Sequence, residues 1–385
     1  MTPAARIGAA IDVIDRIQDG ELADRSLAHW GRKNRYAGSK DRAAIADIVY
    51  AVLRKKQSLA VLGAGKTGRA LLIGYLRDIG QDPDAVFGAD RYAPAALTEA
   101  ERAAPEPGPE NADFPEWLWP DLVRSQGDQA LPIARAMRER APIYVRANLM
   151  KASREEAIAA LAAEGVIGTA HALSPSAVHI SEGARKIRNA QPYLNGMIEL
   201  QDAASQAVAD LVPLTLGERF LDFCAGGGGK VLAVAGRIAG EFYAHDADLR
   251  RMNDLPARAA RAGTQVNLVP PEDLDALPAC HTVLVDAPCS GSGSWRRDPH
   301  GKWLLTRDRL DQLVEMQQNI LSRASGLVRP GGHLVYATCS LLDVENDQQS
   351  AAFLARHPDF SQVGAHHFTP LSGGDGFFCA VFAKD

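Results

Sequence analysis

Apolar side chains recur at helical spacing through the first 90 residues. Ile7, Ile11 and Ile14 share one helix face, and a second stripe follows the i, i+3, i+4, i+7, i+8 pattern of a buried face. The pattern predicts an all-α domain over residues 1–93. The second stripe consists of Ile45, Ile48, Val49, Val52 and Leu53.

The middle of the chain changes first in composition and then in period. Residues 94–114 are rich in Ala, Pro, Glu and Gly, which predicts a linker or a long surface loop. Beyond it we expect a strand around residues 143–148 and a helix over 153–164, where Ser153 and Glu156 match a capping box. Further strands are predicted between residues 179 and 200. Residues 115–204 are therefore expected to form a small α+β module.

Strand-length apolar runs alternate with helical segments from about residue 205 onward. A long helix between the fourth and fifth runs carries one buried stripe that includes Leu310, Gln317 and Leu321. Alternating strands and helices indicate a parallel, doubly wound sheet over residues 205–385, with ligands beyond the carboxyl ends of its strands. The predicted strands are residues 220–223, 241–246, 265–269, 282–286, 333–338 and 377–382.

Charge is unevenly spread along the chain. The 385 residues carry a net charge of −5, which argues weakly against a nucleic-acid partner. Between Arg32 and Lys56, however, eight basic residues stand against two acidic ones, and this cluster either contacts phosphates or is a solvated helix face. A second candidate RNA-contact set lies in the α+β module and comprises Arg146, Lys151, Arg185, Lys186 and Arg188.

The number and spacing of the cysteines indicate the cellular compartment of the protein. There are five, with no CxxC pair and no disulfide-framework spacing, which indicates reduced thiols and a cytoplasmic location. No apolar run approaches the roughly 20 residues that a membrane helix needs, so no membrane partner is expected.

A glycine-rich turn closes the first predicted strand of the parallel sheet, in the sequence LDFCAGGGGK. Four consecutive glycines let the backbone turn sharply and approach a ligand before a helix begins. The order is not G-x-G-x-x-G, which argues against a dinucleotide. Asp246 closes the second strand about twenty residues later, where a carboxylate is suited to accept hydrogen bonds from ribose hydroxyls. These features favour an adenosine-containing cofactor with little phosphate, for which S-adenosylmethionine fits best.

Two cysteines and an aspartate follow neighbouring predicted strands. Asp286 and Cys289 lie in VDAPCSGSG, and Cys339 ends the strand LVYATCS. A lone cysteine is most often a packing residue, but two thiols and a carboxyl group at one sheet edge suit methylation at C5 of a pyrimidine. That carbon becomes nucleophilic once a thiolate adds to C6, an acid stabilises the adduct, and a base later removes the C5 proton. Spacing alone does not decide which thiol attacks.

The order of these motifs resembles the RsmB/NSUN family of S-adenosylmethionine-dependent RNA cytosine-C5 methyltransferases. The resemblance covers residues 115–385 and rests on LQDAAS, DFCAGGGGK, VDAPCSGSG, YATCSLLDVEN and DGFFCAVF. One departure is Gly226-Gly227, where the family has Ala-Pro. The stretch SKDRAAIADIVYAVLR is similar to the NusB-like RNA-binding domain at the front of bacterial RsmB. The implied fold is a Rossmann-like methyltransferase domain preceded by the α+β module and an all-α NusB-like domain.

The resemblance implies roles for individual residues. Cys339 would attack C6, Cys289 would assist release of the methylated product, and Asp286 would face the cytosine ring and the cofactor. A further acidic cofactor contact is expected at Glu272 or Asp273, although this pair also fits an ordinary exposed loop. The remaining expected cofactor contacts are Cys224, Ala225, Gly226, Gly227, Gly228, Gly229, Lys230 and Asp246.

The implied activity is methyl transfer from S-adenosylmethionine to C5 of a cytosine in RNA. The expected substrate is 16S ribosomal RNA, bound by a monomer that uses neither DNA nor a membrane. The alternatives are a transfer-RNA methyltransferase and an RNA-binding ribosome-assembly factor with incidental methylation. A small-molecule methyltransferase is disfavoured by the basic regions and the paired cysteines. Trp295, Arg296 and Arg297 either grip RNA or are ordinary surface residues.

Overall fold

The first of two compact units is helical in this computed structural model, which describes residues 1–103 and 112–385. The unit consists of Met1–Val123, Asp128–Arg140 and Trp295–Leu304. The two predicted stripes supply its core, where Ile14 and Val49 are buried. Its helices are α1 (Pro3–Gln18), α2 (Ala23–Lys33), α3 (Ser39–Arg54), α4 (Lys56–Leu62), α5 (Gly68–Asp78), α6 (Glu99–Arg102), α7 (Trp119–Gln126, whose last turn lies in the second unit), α8 (Ala130–Ala136) and, later in the chain, α14 (Gly301–Leu304).

The predicted linker over residues 94–114 falls partly outside the described residues. Its described part contains α6, which begins with a capping box between Thr98 and Glu101. The boundaries predicted at residues 93, 114 and 204, like the NusB-like character of the helical region, stay predictions.

The segment Trp295–Leu304 packs within the helical unit, which the sequence pattern did not indicate. The indole nitrogen of Trp303 donates to the carbonyl of Leu53 at 2.7 Å, and Nε of Arg54 donates to the carbonyl of Arg296 at 2.9 Å. Trp295 is 2% exposed and its ring lies 5.6 Å from that of Phe114. Trp295 and Arg296 are buried, so the hypothesis that their side chains grip RNA is wrong; the side chain of Arg297 is exposed.

The second unit begins with a four-stranded antiparallel sheet of order β2-β3-β1-β4. Ser153 and Glu156 form the predicted capping box at the start of α9. Strand β2 was not predicted, because its four residues are mostly exposed and lack an apolar alternation. The unit comprises Arg124–Gly127, Ala141–Ser294 and Leu305–Asp385. The elements of this module are β1 (Ile143–Ala147), α9 (Arg154–Ala163), β2 (Ile167–Ala170), β3 (Ala177–Glu182), α10 (Gln191–Leu194) and β4 (Ile198–Leu200).

Two members of the basic set in this module are engaged by the protein itself. Arg146 is 4% exposed and donates to the carbonyl of Gly229 at 3.0 Å. The amine of Lys151 donates to the carbonyls of Asn195 and Arg261, each at 2.7 Å. A contact between Arg146 and RNA is therefore a wrong prediction. Arg146 was predicted as part of a basic surface, whereas its side chain is buried and contacts the end of the glycine turn.

A seven-stranded sheet of order β10-β11-β9-β8-β5-β6-β7 forms the core of the second unit. The five strands from β9 to β7 are parallel, and β11 and β10 are antiparallel additions at one edge. Strand β10 was not predicted, because the solvent-facing edge strand carries almost no buried side chains. The strands are β5 (Arg219–Asp222), β6 (Glu241–His245), β7 (Val266–Val269), β8 (Cys280–Asp286), β9 (Val328–Thr338), β10 (Phe360–Phe368) and β11 (Phe377–Lys384).

Helices cover both faces of this sheet, which confirms the doubly wound arrangement. Helices α11 (Ala203–Asp210), α12 (Gly229–Ala235) and α13 (Leu255–Ala262) pack on one face, against side chains such as Phe220 and Val335. Helices α15 (Arg307–Ser325) and α16 (Asp347–Arg356) pack on the other, against Val283 and Tyr336 among others. Strands covered on both faces read as continuous apolar runs, and such runs made them predictable. Across the described ranges, no helix has both the length and the apolar content to span a membrane.

Candidate active site

The sheet order delivers the predicted catalytic residues to one edge. Strands β8 and β9 are parallel neighbours, and Asp286 pairs in register with Ala337. Cys339 follows two residues after Ala337, and Cys289 follows three residues after Asp286. The segments that follow β8 and β9 carry Cys289 and Cys339, and we call them the cysteine loops. The backbone N–H of Gly293 in the first loop donates to the carbonyl of Cys339 in the second, at 2.9 Å. The expected meeting of these three side chains is therefore a consequence of strand register.

The two thiols contact each other directly. Their Sγ atoms lie 3.4 Å apart, within hydrogen-bonding reach for sulfur, and both side chains are half-buried. The hydrogen bond with Cys289 lowers the pKa of Cys339, and the nearby Lys230 ammonium adds to this effect against burial and the charge of Asp286. The same hydrogen bond, together with burial, raises the pKa of Cys289 well above its usual range. The distance itself does not assign the donor, but these opposite pKa directions favour Cys339 as the thiolate and Cys289 as the thiol.

A buried lysine, Lys230, faces Asp286, the aspartate that the sequence predicts to be catalytic. The amine of Lys230 lies 2.6 Å from Oδ2 of Asp286, and Lys230 is 5% exposed whereas the Asp286 side chain is 33% exposed. Burial acts to lower the pKa of this lysine, but the charge of Asp286 and the hydrogen bond to it outweigh burial, so the pKa of Lys230 is raised. The sequence placed Lys230 in the cofactor turn; its backbone lies in the first turn of α12, directly after the glycines, and its amine reaches Asp286 at the end of the neighbouring strand β8.

The glycine turn (residues 226–229) leads from β5 into α12 and is fixed by Asp246. Oδ2 of Asp246 accepts from the backbone N–H of Gly226 at 2.9 Å and from Arg251 at 3.0 Å. Gly226 and Gly228 have φ angles of 51° and 79°, a region that L side chains rarely adopt. Asp246 thus shapes the turn, a role that sequence reasoning did not assign to it.

A cavity of about 550 Å³ adjoins the same strand ends. Phe223, His245 and Ala247 line it from the ends of β5 and β6, and Met316 and Ile320 line it from α15. Its volume is within the usual range of about 300–1,000 Å³ for small-molecule sites. Five polar or charged side chains of α15 complete the lining, namely Arg309, Gln312, Glu315, Asn319 and Arg323. The cavity thus offers an aromatic ring together with hydrogen-bonding side chains, a combination that suits a nucleoside.

The remaining predicted cofactor contacts differ in their setting. Cys224 and Ala225 continue β5 into the glycine turn, and the N–H of Ala225 donates to the carbonyl of His245 at 2.8 Å. Glu272 and Asp273 are exposed, and within the described residues neither side chain forms a hydrogen bond or an ion pair. Their contact with a cofactor stays a prediction.

Two buried acids at this edge were missed by sequence reasoning. Burial and the charge of Asp286 raise the pKa of Asp222 to about 7. Glu345 is fully buried and bonded to both cysteine loops. The available signal for Glu345 was its place in YATCSLLDVEN, six residues after Cys339, where it is one of two acidic residues among apolar ones.

A doubly wound sheet with a glycine turn after its first strand and paired thiols after its fourth and fifth defines the Rossmann-like methyltransferase class. A family described as 16S rRNA methyltransferase RsmB/F matches residues 210–382. A second family, the ferredoxin-like domain of RsmF/B-like methyltransferases, matches residues 114–186. The chain belongs to the RsmB/F family of RNA methyltransferases.

Individual relatives agree with this assignment. Ribosomal RNA small subunit methyltransferase B of Klebsiella pneumoniae subsp. pneumoniae is 35% identical over 287 residues, which cover 70% of this chain and 66% of that protein. The protein of the same name from Sodalis glossinidius is 32% identical over 315 residues, covering 77% of this chain and 70% of that protein. The alignment with the Klebsiella protein thus spans slightly less than two thirds of its length.

Solved structures share the fold. The crystal structure of PH0851 superposes with a TM-score of 0.78 at 23% identity and covers all of this chain and 99% of its own. NSun6 from Pyrococcus horikoshii superposes with a TM-score of 0.62 at 19% identity, over 70% of this chain and 98% of its own. At these identities the likeness concerns the fold alone.

The glycine turn gives a testable prediction about folding. A Cβ added at Gly228 would lie 2.2 Å from Cδ1 of Leu255, and the positive φ adds strain of about 1–2 kcal/mol. Gly228→Ala should therefore lower the free energy of unfolding by about 1–3 kcal/mol more than Gly217→Ala, because overpacking adds to the φ strain. Gly217 is the matched control: its φ is 83°, but nothing lies within 4 Å of its added Cβ. Chemical denaturation measures both variants, and equal losses would contradict the clash.

Proposed function

We propose that this chain transfers a methyl group from S-adenosylmethionine to C5 of a cytosine in RNA, through a covalent bond between Cys339 and C6. The observation that carries the proposal is the thiol pair, with Cys289 and Cys339 3.4 Å apart beside the Lys230–Asp286 ion pair. Family membership supports RNA as the substrate class. The relatives named for the small ribosomal subunit favour 16S ribosomal RNA.

Cys339 is the attacking group because its environment favours the thiolate. The thiolate sulfur adds to C6 of cytosine, and the electron pair of the C5–C6 double bond moves to give an enamine, which makes C5 nucleophilic. The lowered pKa of Cys339 increases the thiolate fraction at neutral pH. When bound, S-adenosylmethionine would supply an electrophilic methyl group to C5, with S-adenosylhomocysteine as the leaving group.

The Lys230–Asp286 ion pair supplies the proton that N3 of the cytosine takes up. Addition at C6 makes N3 of the ring more basic, and Asp286 is the more exposed partner of an ion pair in which the buried amine of Lys230 carries the proton. We assign Lys230 to pass a proton through the carboxylate of Asp286 to N3, and the same proton to return to Lys230 when the adduct breaks down.

Cys289 acts at the end of the reaction. Loss of the C5 proton to a base lets the Cys339–C6 bond break and restores the C5–C6 double bond. Cys339 then leaves as a thiolate, and a hydrogen bond from the Cys289 thiol at 3.4 Å stabilises that leaving group. The raised pKa of Cys289 keeps its proton available for this role.

The cofactor would lie on the glycine turn, near Asp246 and the cavity lined by Phe223 and His245. The glycine turn and Asp246 would bind and orient it, and Phe223 would offer an aromatic ring beside it. The thiol and the cofactor must reach the face and the edge of the cytosine ring, which base stacking covers in a helix. The target cytosine is therefore expected in a loop or in partly unfolded RNA.

Replacement of each cysteine should block a different step of the reaction. Cys339→Ala should abolish both methylation and covalent RNA adduct, whereas Cys289→Ala should lower turnover by about 100-fold or more and accumulate the adduct. The matched control is Cys280→Ala, since Cys280 is a buried cysteine at the other end of β8. Denaturing gel electrophoresis of enzyme incubated with labelled RNA and cofactor measures the adduct. The reverse pattern, with adduct retained in Cys339→Ala, would contradict the assignment.

The RNA target can be identified in cells. Bisulfite sequencing of RNA from a deletion strain should lose one or a few 5-methylcytosines in 16S ribosomal RNA, and the marks should return with the wild-type chain but not with Cys339→Ala. Loss of a transfer-RNA mark instead would contradict the ribosomal target. If no mark is lost, and Cys339→Ala rescues a defect in ribosome maturation, the chain acts as an assembly factor and the methylation proposal fails.

A further inference from the structure

A buried carboxylate connects the two cysteine loops. Glu345 is 0% exposed. Its Oε1 accepts from the backbone N–H of Ser290 at 2.8 Å, and its Oε2 accepts from the hydroxyls of Ser290 and Ser340, each at 2.5 Å. Ser290 follows Cys289 in the chain and Ser340 follows Cys339. One side chain thus holds the residue after each thiol.

The residues before the thiols are held by the same cluster. The side-chain amide of Gln317, from α15, donates to Oε1 of Glu345 at 3.0 Å and to the carbonyl of Pro288 at 2.9 Å. The hydroxyl of Thr338 donates to Asn346, the neighbour of Glu345, at 2.6 Å. Each cysteine is therefore flanked on both sides by residues bonded to Glu345 or to its immediate partners, and neither thiol itself is used in the cluster.

We propose that Glu345 is a positioning residue that fixes the two thiols against each other through Ser290 and Ser340, and that it thereby determines which cysteine acts as the nucleophile. The proposal deepens the function proposed above and rests on it for the link to methyl transfer. The arrangement of the thiols can be tested without RNA.

The number of donors matches a charged carboxylate. Four donors point to Glu345, which is the acceptor capacity of an ionised carboxyl group and more than a buried amide oxygen can satisfy. A buried polar group left without its partner is costly, so the cluster is rigid only while every donor is accepted. The charge also acts on one thiol more than on the other. After the hydrogen bond with Cys339, burial and the charge of Cys339, the charge of Glu345 is a further cause that raises the pKa of Cys289.

Replacement of Glu345 by glutamine removes the negative charge and one of the two accepting oxygens with little change in side-chain volume. The amide of Glu345→Gln has one accepting oxygen instead of two, so the hydroxyls of Ser290 and Ser340 would have to change from donating to accepting. The hydrogen bonds to a charged acceptor are lost, so the hold on the two loops is expected to weaken. Hydrogen bonds to charged groups are stronger than those between neutral groups, so their loss is expected to change the ratio of the two thiols' reactivities by about tenfold.

The test is site-resolved alkylation of the folded full-length chain by iodoacetamide, with each cysteine followed by peptide mass spectrometry at pH 7.5. In the wild type, Cys339 should react at least about tenfold faster than Cys289, because thiolate is the reacting species. In Glu345→Gln the ratio should fall toward one. The control is Thr282→Val. Thr282 lies in β8 away from the thiols, and its buried hydroxyl donates to the carbonyl of Pro213. The loss of this hydrogen bond should keep the wild-type ratio.

A second variant covers the case in which Glu345→Gln does not fold. Ser340→Ala removes one donor and leaves the carboxylate in place, so it should shift the ratio in the same direction by a smaller factor. An unchanged alkylation ratio in a folded Glu345→Gln or Ser340→Ala overturns the positioning role.

Parallel methylation assays separate the two proposals. If the wild type transfers no methyl group to RNA while Glu345→Gln still equalises the two thiols, the proposed function fails and the positioning role stands. If the wild type methylates RNA and Glu345→Gln keeps both its turnover and its alkylation ratio, the positioning role fails and the proposed function stands.

Discussion

The parallel pairing of β8 with β9 is the constraint on which the candidate active site depends. Cys289 and Cys339 are 50 residues apart in the chain, and they meet at 3.4 Å because both follow adjacent strands in fixed register. A slip of one residue would turn one of these strands over and remove its thiol from the pair. The apolar side chains that bury both faces of the sheet hold that register, so the core and the chemistry are one arrangement.

Charged side chains surround the thiol pair and hold the segments next to it. Lys230 comes from the turn after β5 and Asp286 from the end of β8, so their ion pair spans the two neighbouring strands. Asp246, from the end of β6, holds the glycine turn, and Glu345 holds the two cysteine loops. Four buried or half-buried charges thus occupy a short stretch of sheet edge. Each is compensated by a named partner, as buried charges require.

Sequence reasoning reached the parts of this site that are local in the chain. Apolar runs marked six of the seven strands of the large sheet, and the glycines, Cys289 and Cys339 stood at the ends of three of them. Contacts between distant segments were out of reach. Arg146 reads as a surface charge until β1 is placed beside the glycine turn, and Trp295 reads as an exposed ring until its segment packs in the helical unit. Strand β10 carries no pattern, because one edge of a sheet needs little apolar surface.

The most direct test of the central claim is to identify which cysteine becomes bound to RNA in the wild-type chain. A 16S ribosomal RNA transcript carrying 5-fluorocytosine offers no C5 proton for removal, so the adduct should persist after methyl transfer. We predict that digestion and mass spectrometry will find a nucleotide bound to the peptide containing Cys339, heavier by one methyl group. A nucleotide bound to the Cys289 peptide, or no bound nucleotide while unmodified RNA is methylated, would contradict the account.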